Sequence, residues 1–551
     1  MDNTQAPEGP EGVAVKAAEA AVTLLPLDVL DAATRLADPV TVARNMPWLA
    51  GEMAKIASGR SDLWFDKRDQ RFADKAWQAN PYRMLAQYYR LYELWMDRMC
   101  QAVPGPWPRQ ARARFLANMA TAAAAPSNYL PANPVALRLA AETGGRSLLD
   151  GARNLARDLA RGGMPRAADR ERFPVGEKIA ATPGAVVYRE EMFELLQYRP
   201  TTPRVRERPL LMVPPQVNRY YILDLAPGRS VVEYAVAQGI QTFMIVWRNP
   251  RATLGHGRWG VDDYIAAQER AAEVVQKITR TDAIGWLGLC AGGMTTSWML
   301  AHRAATGADP AASATYIVTT LAGEQPNVVG MSDTPASRAE LEMAARAGLV
   351  IPGMALRTLF ALLRPNDLVY NYLVSGWLKG EPPAPFDVLA WNDDATAVPA
   401  KFAVESTRIM MDGWDGATGP ALLGTQVDFK AVNCDSFHVA GYTDHITPWR
   451  ACYSTTQILG GEKELTVVKS GHIQSFVNPE DNPRYDCWYG PPAASGPDEW
   501  MATATFQHGS WWRRWADWLT ARSGSEKQAR TTLGNREYPP LGAAPGSYTL
   551  Q

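Results

Sequence analysis

Short, continuous apolar runs that alternate with helix-like stretches in the second half of the chain constrain its fold most. Three of them are "PLLMVPP" at 209–215, "QTFMIVW" at 241–247 and "IGWLGL" at 284–289, and each precedes a helix-like stretch. Strands that are apolar throughout have both faces buried, as in a parallel sheet covered by helices. The sequence therefore predicts an α/β fold with a largely parallel sheet.

Further strand-like runs extend this sheet on both sides of a long interruption. "ATYIVTTLA" at 314–322 follows the third run, and "SFHVAG" at 436–441 and "ELTVVKSG" at 464–471 resume the pattern. Between about 323 and 432 the alternation stops, and we expect a cap inserted between two strands. Before the first run, "VVYRE" and "MFELLQYRP" predict a hairpin at the edge of the sheet.

The first half of the chain has a different period. "YRMLAQYYRLYELWMDRM" at 82–99 repeats apolar residues at three- and four-residue spacing, which is typical of an amphipathic helix. Prolines separate this stretch from similar ones, because proline lacks the N–H that a helix interior needs. We therefore expect a flexible tail over 1–22, an all-α domain over 23–174, and an α/β domain over 175–551 that includes the cap.

Composition excludes several classes of protein. The 551 residues carry a formal net charge of −1 without a basic stripe, which argues against nucleic-acid binding. The start of the chain has neither the basic nor the apolar segment of a signal peptide. The sequence contains no run of 18 apolar residues, so we expect no membrane-spanning helix. The 5 cysteines form no CxxC pair, so we expect neither a zinc site nor disulfides, and a cytoplasmic protein.

The segment "GLCAGG" carries the chemistry. Gly288, Cys290 and Gly292 form the nucleophile-elbow pattern G-x-S-x-G with sulfur in place of oxygen, between a predicted strand and a predicted helix. At such a turn the nucleophile has strained backbone angles, and flanking glycines avoid the clashes of a side chain. The pattern predicts Cys290 as a nucleophile, although a buried structural cysteine in a glycine turn would also fit it.

A cysteine nucleophile needs a base and an acid that orients the base. In the order nucleophile, acid, histidine, the candidates are Asp444 in "GYTDHITPW" and His472 in "SGHIQSF", each following a predicted strand. His445 is the rival base, but a residue adjacent to the acid is poorly placed to be held by it. We therefore expect a pocket-lining or capping role for His445, and an Asx-turn at Asp444 stays open as an alternative.

The oxyanion hole of such folds combines two backbone N–H groups. One belongs to the residue after the nucleophile, here Ala291, and the other to the loop after an earlier strand. "VPPQVN" supplies that loop, with Gln216 or Val217 as donor, and we favour Val217.

A thiol at the elbow indicates the kind of substrate. Acyl exchange between a thioester and an enzyme thiol is close to neutral in free energy, so the acyl group stays activated after its transfer. A thiol beside a histidine is also a strong nucleophile near neutral pH. The elbow sulfur therefore favours acyl transfer from a thioester over ester hydrolysis.

Motifs along nearly the whole chain resemble those of the polyhydroxyalkanoate synthases, which form the polyester of bacterial storage granules. In the first half they are "DQRFADKAWQANP" and "APSNYLPANP". In the second half they are "VPPQVNRYYILDL", "VWRNP", "GLCAGG", "RPNDLVYNY", "GYTDHITPW", "SGHIQSFVNP", "SWWRRW" and "LGNREYP". The resemblance covers all but about the first 25 residues.

This resemblance implies an α/β-hydrolase catalytic domain with a cap insertion, preceded by the helical domain. It implies an acyltransferase that polymerises (R)-3-hydroxyacyl-CoA and releases CoA, with the growing chain on Cys290. His472 would deprotonate the thiol, and Asp444 would assist by activating the 3-hydroxyl of the incoming monomer. No metal and no cofactor besides the CoA thioester substrate is implied.

The same resemblance implies a homodimer at the surface of cytoplasmic granules, where granule-associated proteins would be partners. The chain is similar to the single-subunit types of the family. "VPPQVN" and "SGHIQS" resemble synthases of medium-length monomers and "YYILDL" those of short ones, so we expect a medium or mixed preference.

Two other functions stay open at this point. One is a cysteine-dependent α/β-hydrolase acting on esters, thioesters or the polymer itself. The other is a non-enzymatic granule scaffold, against which the complete set of Cys290, Asp444 and His472 argues. The remaining cysteines lack an elbow context and are predicted to be inert, and the tryptophans of "SWWRRWADWL" are predicted to be core residues of a helix.

Overall fold

A computed structural model describes residues 29–551, apart from 68, 162, 309–310, 324, 413–418 and 494. The tail predicted at 1–22 lies outside the described residues. The chain divides into two compact units. A helical unit comprises the described part of Leu24–Arg172 together with Arg357–Asp393, and a catalytic unit comprises Phe173–Leu356 and Asp394–Gln551.

The helical unit contains no strand among its described residues, in agreement with the predicted all-α first half. Its first six α-helices are α1 Val29–Leu36, α2 Pro39–Ala57, α3 Tyr82–Gln101, α4 Trp107–Ala124, α5 Pro134–Glu142 and α6 Arg146–Leu159. The start of helix α2 is fixed by its first residues: Pro39 suits the first turn of a helix, and the Asp38 carboxylate accepts the N–H of Thr41 at 2.9 Å. Phe65 and Phe72 stack at 3.8 Å in an aromatic core with Trp77 and Tyr89.

The cap predicted over 323–432 does not form one body. Its centre, Arg357–Asp393, belongs to the helical unit, where Trp377 donates its indole N–H to the buried Asp158 at 2.8 Å and Asn154 bonds the Gly376 carbonyl at 3.0 Å. The ends of the stretch belong to the catalytic unit. Contacts between residues more than 200 positions apart leave no local pattern, so the sequence could not predict this division.

The catalytic unit is built on one large sheet. Its described strands are β1 Gly184–Arg189, β2 Phe193–Tyr198, β4 Leu210–Val213, β5 Thr242–Trp247, β6 Gly285–Leu289, β7 Ser313–Ile317, β12 Ser436–Gly441, β13 Lys463–Val468, β14 Cys487–Gly490, β15 Thr505–Gln507 and β17 Gly542–Ala543. The order across the sheet is β15-β14-β13-β12-β7-β6-β4-β5-β2-β1-β17, and the six strands from β13 to β5 are parallel. These six are the apolar runs of the sequence, so the predicted α/β fold is confirmed.

Short strand pairs lie outside this sheet. They are β3 Arg204–Arg206 with β16 Glu526–Gln528, β8 Val350–Ile351 with β9 Val398–Pro399, and β10 Ala421–Leu422 with β11 Thr425–Gln426. The remaining α-helices are α7 Val231–Ala237, α8 Val261–Thr279, α9 Ala291–Ala305, α10 Val328–Ser332, α11 Pro335–Arg346, α12 Gly353–Leu363, α13 Asn371–Leu373, α14 Asp387–Asn392, α15 Ala400–Asp412, α16 Trp449–Ile458, α17 Pro497–Thr503 and α18 Trp512–Arg522. None of the helices in the described part of the chain is both long and apolar enough to cross a membrane.

Two features of the sheet edges differ from the prediction. The hairpin β1–β2 forms as expected but is not the edge, because β17 pairs with β1 antiparallel at Ala185 and Val186. At the other side, β14 and β15 add two antiparallel strands that we did not predict. These strands have two to four residues, too short to show a period of two.

Helix α18 and the residue before it confirm that three of the four tryptophans of "SWWRRWADWL" are core residues, whereas Trp518 is half-buried. Trp512 and Trp515 are buried on it, as is Trp511 just before it. The indole N–H of Trp515 donates to the Thr315 hydroxyl of β7 at 3.0 Å, and Trp511 donates to the Ser475 carbonyl at 2.7 Å. These bonds satisfy the polar atoms of buried rings and attach the helix to the sheet.

Very close packing surrounds the turn between β6 and α9. A β-carbon on Gly292 would lie 2.3 Å from the Val213 carbonyl oxygen and 2.6 Å from that of Pro214. A β-carbon on Gly288 would lie 2.4 Å from Cα of Gly293. Both contacts are with backbone, which cannot rotate away, so the glycines allow helix α9 to begin directly against the end of β4.

We predict that Gly292→Ala lowers the free energy of unfolding by about 2–3 kcal/mol, because overpacking against backbone forces the turn to shift. Urea unfolding followed by tryptophan fluorescence measures the change. Gly542→Ala is the matched control, since a β-carbon there meets nothing within 4 Å. Equal midpoints for the two variants would contradict the close packing described for the turn.

Candidate active site

Segments that follow the carboxyl ends of the parallel strands hold all of the predicted site residues. Cys290 follows β6, Asp444 follows β12 and His472 follows β13, while the segment after β4 contains Val217. Carboxyl ends of parallel strands meet at one edge of a sheet, which is where ligands bind in open α/β folds. The order of the strands thus brings together residues that are more than 250 positions apart.

Cys290 has the backbone of a nucleophile elbow. Its φ of 52° and ψ of −119° lie in a region that a residue with a side chain adopts only under strain. Its N–H donates to the Ile317 carbonyl at 2.8 Å, and its carbonyl accepts the N–H groups of Gly293 and Met294 at 2.9 and 3.1 Å. These bonds hold the thiol between strand and helix.

Asp444 and His472 form a buried pair. Nδ1 of His472 lies 2.6 Å from Oδ2 of Asp444, and the carboxylate has no exposed surface. The other carboxylate oxygen, Oδ1, accepts the N–H groups of Ile446 and Thr447 at 2.8 and 3.0 Å. The Asx-turn at Asp444 and its bond to the histidine are therefore compatible, because each uses a different oxygen.

The pairing of Asp444 with His472 shifts the pKa values of both side chains. Burial alone would raise the pKa of Asp444, but the histidine and the two N–H donors hold it below its usual value. Burial would lower the pKa of His472, yet the Asp444 carboxylate and the contact with Cys290 outweigh burial and raise it to about 10. Since Nδ1 faces Asp444, Nε2 is the ring nitrogen that remains for the Cys290 thiol, whose proximity contributes to the raised pKa of His472.

Thr447 is a member of this site that the sequence analysis missed. Its hydroxyl donates to Oδ2 of Asp444 at 2.9 Å and lies 3.2 Å from Nδ1 of His472. It therefore fixes the carboxylate oxygen that the imidazole uses. The position three residues after the acid, within "DHITPW", was the available signal, because a threonine there can bond back to an aspartate side chain.

The other five histidines differ from His472 in their surroundings. His445 is half-buried beside Asp444, whose carboxylate bonds His472. His302 lies 2.9 Å from Glu269, and the exposed His508 lies 3.2 Å from Asp486. The remaining two are His256, stacked on Trp259 at 4.1 Å, and His438 in β12, where burial lowers the pKa to about 3.

The two predicted oxyanion donors lie on adjoining segments. Ala291 is the first residue of α9, and the loop that contains Val217 begins at Pro214, against which Gly292 packs. Gln216 bonds the Thr295 hydroxyl of α9 at 3.0 Å through its buried side chain. This bond ties the loop to the helix that begins directly after Cys290, and Val217 is the residue that follows Gln216 in the loop.

The remaining cysteines differ from Cys290 in their surroundings. Burial raises the pKa of Cys100 to about 11, and those of Cys434 and Cys487 to about 12. Burial also places the pKa of Cys452 well above its usual value, with the nearby Asp444 adding to the effect. Such thiols stay protonated near neutral pH and are poor nucleophiles.

Comparisons of this chain with known proteins agree on one family. Residues 68–235 match the family described as the N-terminus of poly-beta-hydroxybutyrate polymerase, and residues 229–479 match the alpha/beta hydrolase fold. A curated relative, poly(3-hydroxyalkanoate) polymerase 1 of Ectopseudomonas oleovorans, is 39% identical over 518 residues, which cover 93% of this chain and 91% of the relative.

A second relative leads to the same family. The poly(3-hydroxyalkanoate) polymerase subunit PhaC of Cupriavidus necator is 38% identical over 502 residues, which cover 90% of this chain and 85% of the relative. The similarity spans both the helical unit and the catalytic unit. The chain belongs to the poly(3-hydroxyalkanoate) polymerase family.

Proposed function

We propose that this protein polymerises (R)-3-hydroxyacyl-CoA into polyester and releases CoA, with Cys290 as the acyl carrier. The observation that carries the proposal is a cysteine with the backbone of a nucleophile elbow, close to a histidine that a buried aspartate orients, in a chain of the polymerase family. We propose that neither a metal nor a prosthetic group takes part.

In the first step the raised pKa of His472 keeps the proton of the Cys290 thiol on the imidazole, and the thiolate sulfur adds to the thioester carbonyl carbon. The negative oxygen that forms is stabilised by the N–H groups of Ala291 and Val217. The bond from this carbon to the sulfur of CoA then breaks, and the leaving thiolate receives the proton from His472. The acyl group is now a thioester of Cys290.

In the second step His472 takes the proton of a 3-hydroxyl group on an incoming 3-hydroxyacyl-CoA. The hydroxyl oxygen adds to the acyl carbon on Cys290, and the bond from this carbon to the cysteine sulfur breaks. The product is an acyl-CoA one unit longer, and Cys290 regains its proton. Repetition of the first step with this product releases CoA and returns the longer chain to Cys290.

Direct activation of the 3-hydroxyl by Asp444 fits the site poorly. Oδ1 accepts two backbone N–H groups, Oδ2 accepts Thr447 and faces His472, and the side chain has no exposed surface. A substrate hydroxyl would have to displace one of these partners. We propose instead that Asp444 acts through His472, by orienting the ring and stabilising its charge.

Homodimer formation and attachment to a storage granule in the cytoplasm are also part of the proposal. They rest on family membership, and granule-associated proteins would be the partners. Gel filtration coupled to light scattering, and fluorescence microscopy of a tagged chain in a polyester-forming bacterium, test these two points.

The products from two substrates test the reaction. We expect purified protein to release CoA from (R)-3-hydroxybutyryl-CoA and (R)-3-hydroxyoctanoyl-CoA and to form polyester, detected by methanolysis and gas chromatography, from at least one of them. CoA release with free hydroxy acid as the only product would instead establish a cysteine-dependent hydrolase.

Removal of the sulfur tests the nucleophile. We expect Cys290→Ala to reduce CoA release at least 10⁴-fold, since covalent catalysis is lost, and to leave the circular dichroism spectrum unchanged. Cys434→Ala is the matched control and should retain activity, because Cys434 precedes the amino end of β12, whereas Asp444 follows its carboxyl end. Comparable turnover by Cys290→Ala and the wild type would refute the assignment.

Stability against pH tests the buried pair. Because the pKa of His472 is raised in the folded state, its pairing with Asp444 stabilises the fold fully below about pH 6.5 and progressively less as the pH rises towards 10. The pKa of Asp444 is lowered, so protonation of the carboxylate reduces this stabilisation only in acid. We expect Asp444→Asn to lose about 3 kcal/mol at pH 6 by urea unfolding, and clearly less at pH 9.5.

The control for this experiment is Asp498→Asn. Asp498 pairs with Arg450 on the surface, where 83% of its side chain is exposed, so the loss should be small at both pH values. A loss for Asp444→Asn that stays constant or grows between pH 6 and 9.5 would contradict the charged state assigned to His472.

A further inference from the structure

The loop that carries the predicted donor Val217 is held by more than its bonds to the elbow helix. Arg219, two residues further along, has only 7% of its side chain exposed. Its Nη1 donates to the Tyr548 carbonyl at 3.1 Å, and its Nε lies 3.4 Å from Oδ2 of Asp394. A buried guanidinium is stable only when it is paired in this way, so its position is strongly determined.

Asp394 is bound by the same loop a second time. The buried Tyr221 donates its hydroxyl to Oδ2 of Asp394 at 2.7 Å. The segment beyond Asp394 is attached as well, because Ala397 donates its N–H to the Asn249 side chain at 2.9 Å. The carboxylate of Asp394 therefore joins two side chains of the loop to a separately anchored segment.

Tyr548 is an equally firm anchor. Its N–H donates to Oε2 of the fully buried Glu194 at 2.9 Å, and its hydroxyl donates to the Glu190 carbonyl at 2.7 Å. Ser547 donates its hydroxyl to Oε1 of Glu194 at 2.7 Å. The carbonyl that Arg219 uses is thus fixed to the hairpin β1–β2.

The geometry of the loop makes such anchoring necessary. Asn218, between Val217 and Arg219, has a φ of 68°, in the left-handed region that residues other than glycine seldom adopt. No hydrogen bond of a strand or helix holds residues 216–218 in this conformation, since they lie outside both kinds of element. A backbone rotation at Asn218 would change the direction of the Val217 N–H relative to the residues that follow. The anchors on either side, Gln216 with Thr295 and Arg219 with Asp394 and Tyr548, prevent that rotation.

We propose that Arg219 is a positioning residue for the reaction: clamped between Asp394 and the Tyr548 carbonyl, it holds the loop that presents the N–H of Val217 to the developing oxyanion. This inference rests on the proposed function, because it assumes acyl transfer through a tetrahedral intermediate. Arg219 touches no reacting atom and acts through the backbone of the loop. A donor acting only in the transition state changes kcat, while KM stays nearly constant.

The test uses the full-length chain and p-nitrophenyl butanoate, an ester whose attack by Cys290 needs the oxyanion hole but no polymerisation. We expect Arg219→Gln to lower kcat about 10- to 100-fold, less than or equal to the loss of a whole oxyanion donor, with KM within about twofold. Hydrogen exchange of the peptide over 214–222 should become faster. Arg219→Lys, which keeps the charge and can reach Asp394, should fall between the wild type and Arg219→Gln.

Two further variants keep the test decisive. Tyr221→Phe removes only the hydroxyl bond to Asp394 and should show a smaller decrease in kcat with the same faster exchange, even if Arg219→Gln fails to fold. Arg204→Gln, which breaks an exposed ion pair with Glu526 between β16 and β3, is the control and should equal the wild type. A kcat within twofold of the wild type in Arg219→Lys and Tyr221→Phe, with unchanged exchange at 214–222, would overturn the proposal.

The same variants with (R)-3-hydroxybutyryl-CoA separate this inference from the proposed function. Hydrolysis of the thioester without polyester in the wild type would end the polymerase proposal, yet the ester kinetics would still decide the role of Arg219. Polyester formation together with an equal kcat for the ester in all variants would support the polymerase proposal and reject the positioning role of Arg219.

Discussion

The strained backbone at Cys290 is the constraint on which the catalytic unit depends. A residue with a side chain holds a φ of 52° only if its neighbours leave no alternative, and here they do so by contact. Gly292 packs against the end of β4, the N–H of Cys290 bonds the end of β7, and its carbonyl bonds the first turn of α9. Strands β4, β6 and β7 and helix α9 must therefore be packed together before the thiol of Cys290 can take up its position.

Much of this arrangement could be predicted from the sequence, because the signals are local. The apolar runs of β4, β5, β6 and β7 have the composition of doubly buried strands, and the glycines of "GLCAGG" mark the sharp turn between β6 and α9. Once the strands are parallel, their carboxyl ends coincide, and the positions of Asp444 and His472 follow from the order of the chain.

The remaining parts depend on contacts between distant residues. Nothing near Arg219 in the sequence indicates that its partners are Asp394 and the Tyr548 carbonyl, 175 and 329 positions away. Thr447 differs, since it lies three residues from the aspartate it supports and could have been suspected. Strands as short as β17 also lack a detectable period, and for this reason the hairpin β1–β2 was placed wrongly at the edge.

The division of the insertion has a consequence for the design of hybrid enzymes. Residues 357–393 are packed with helices from 29–172, although the whole first half of the catalytic unit separates them along the chain. A chimera that exchanges only the amino-terminal portion between two relatives would replace Asp158 and Asn154 but keep their partners Trp377 and Gly376. Two crossovers at the borders of 357–393, in addition to one near residue 172, are needed to transplant this unit with its native packing intact.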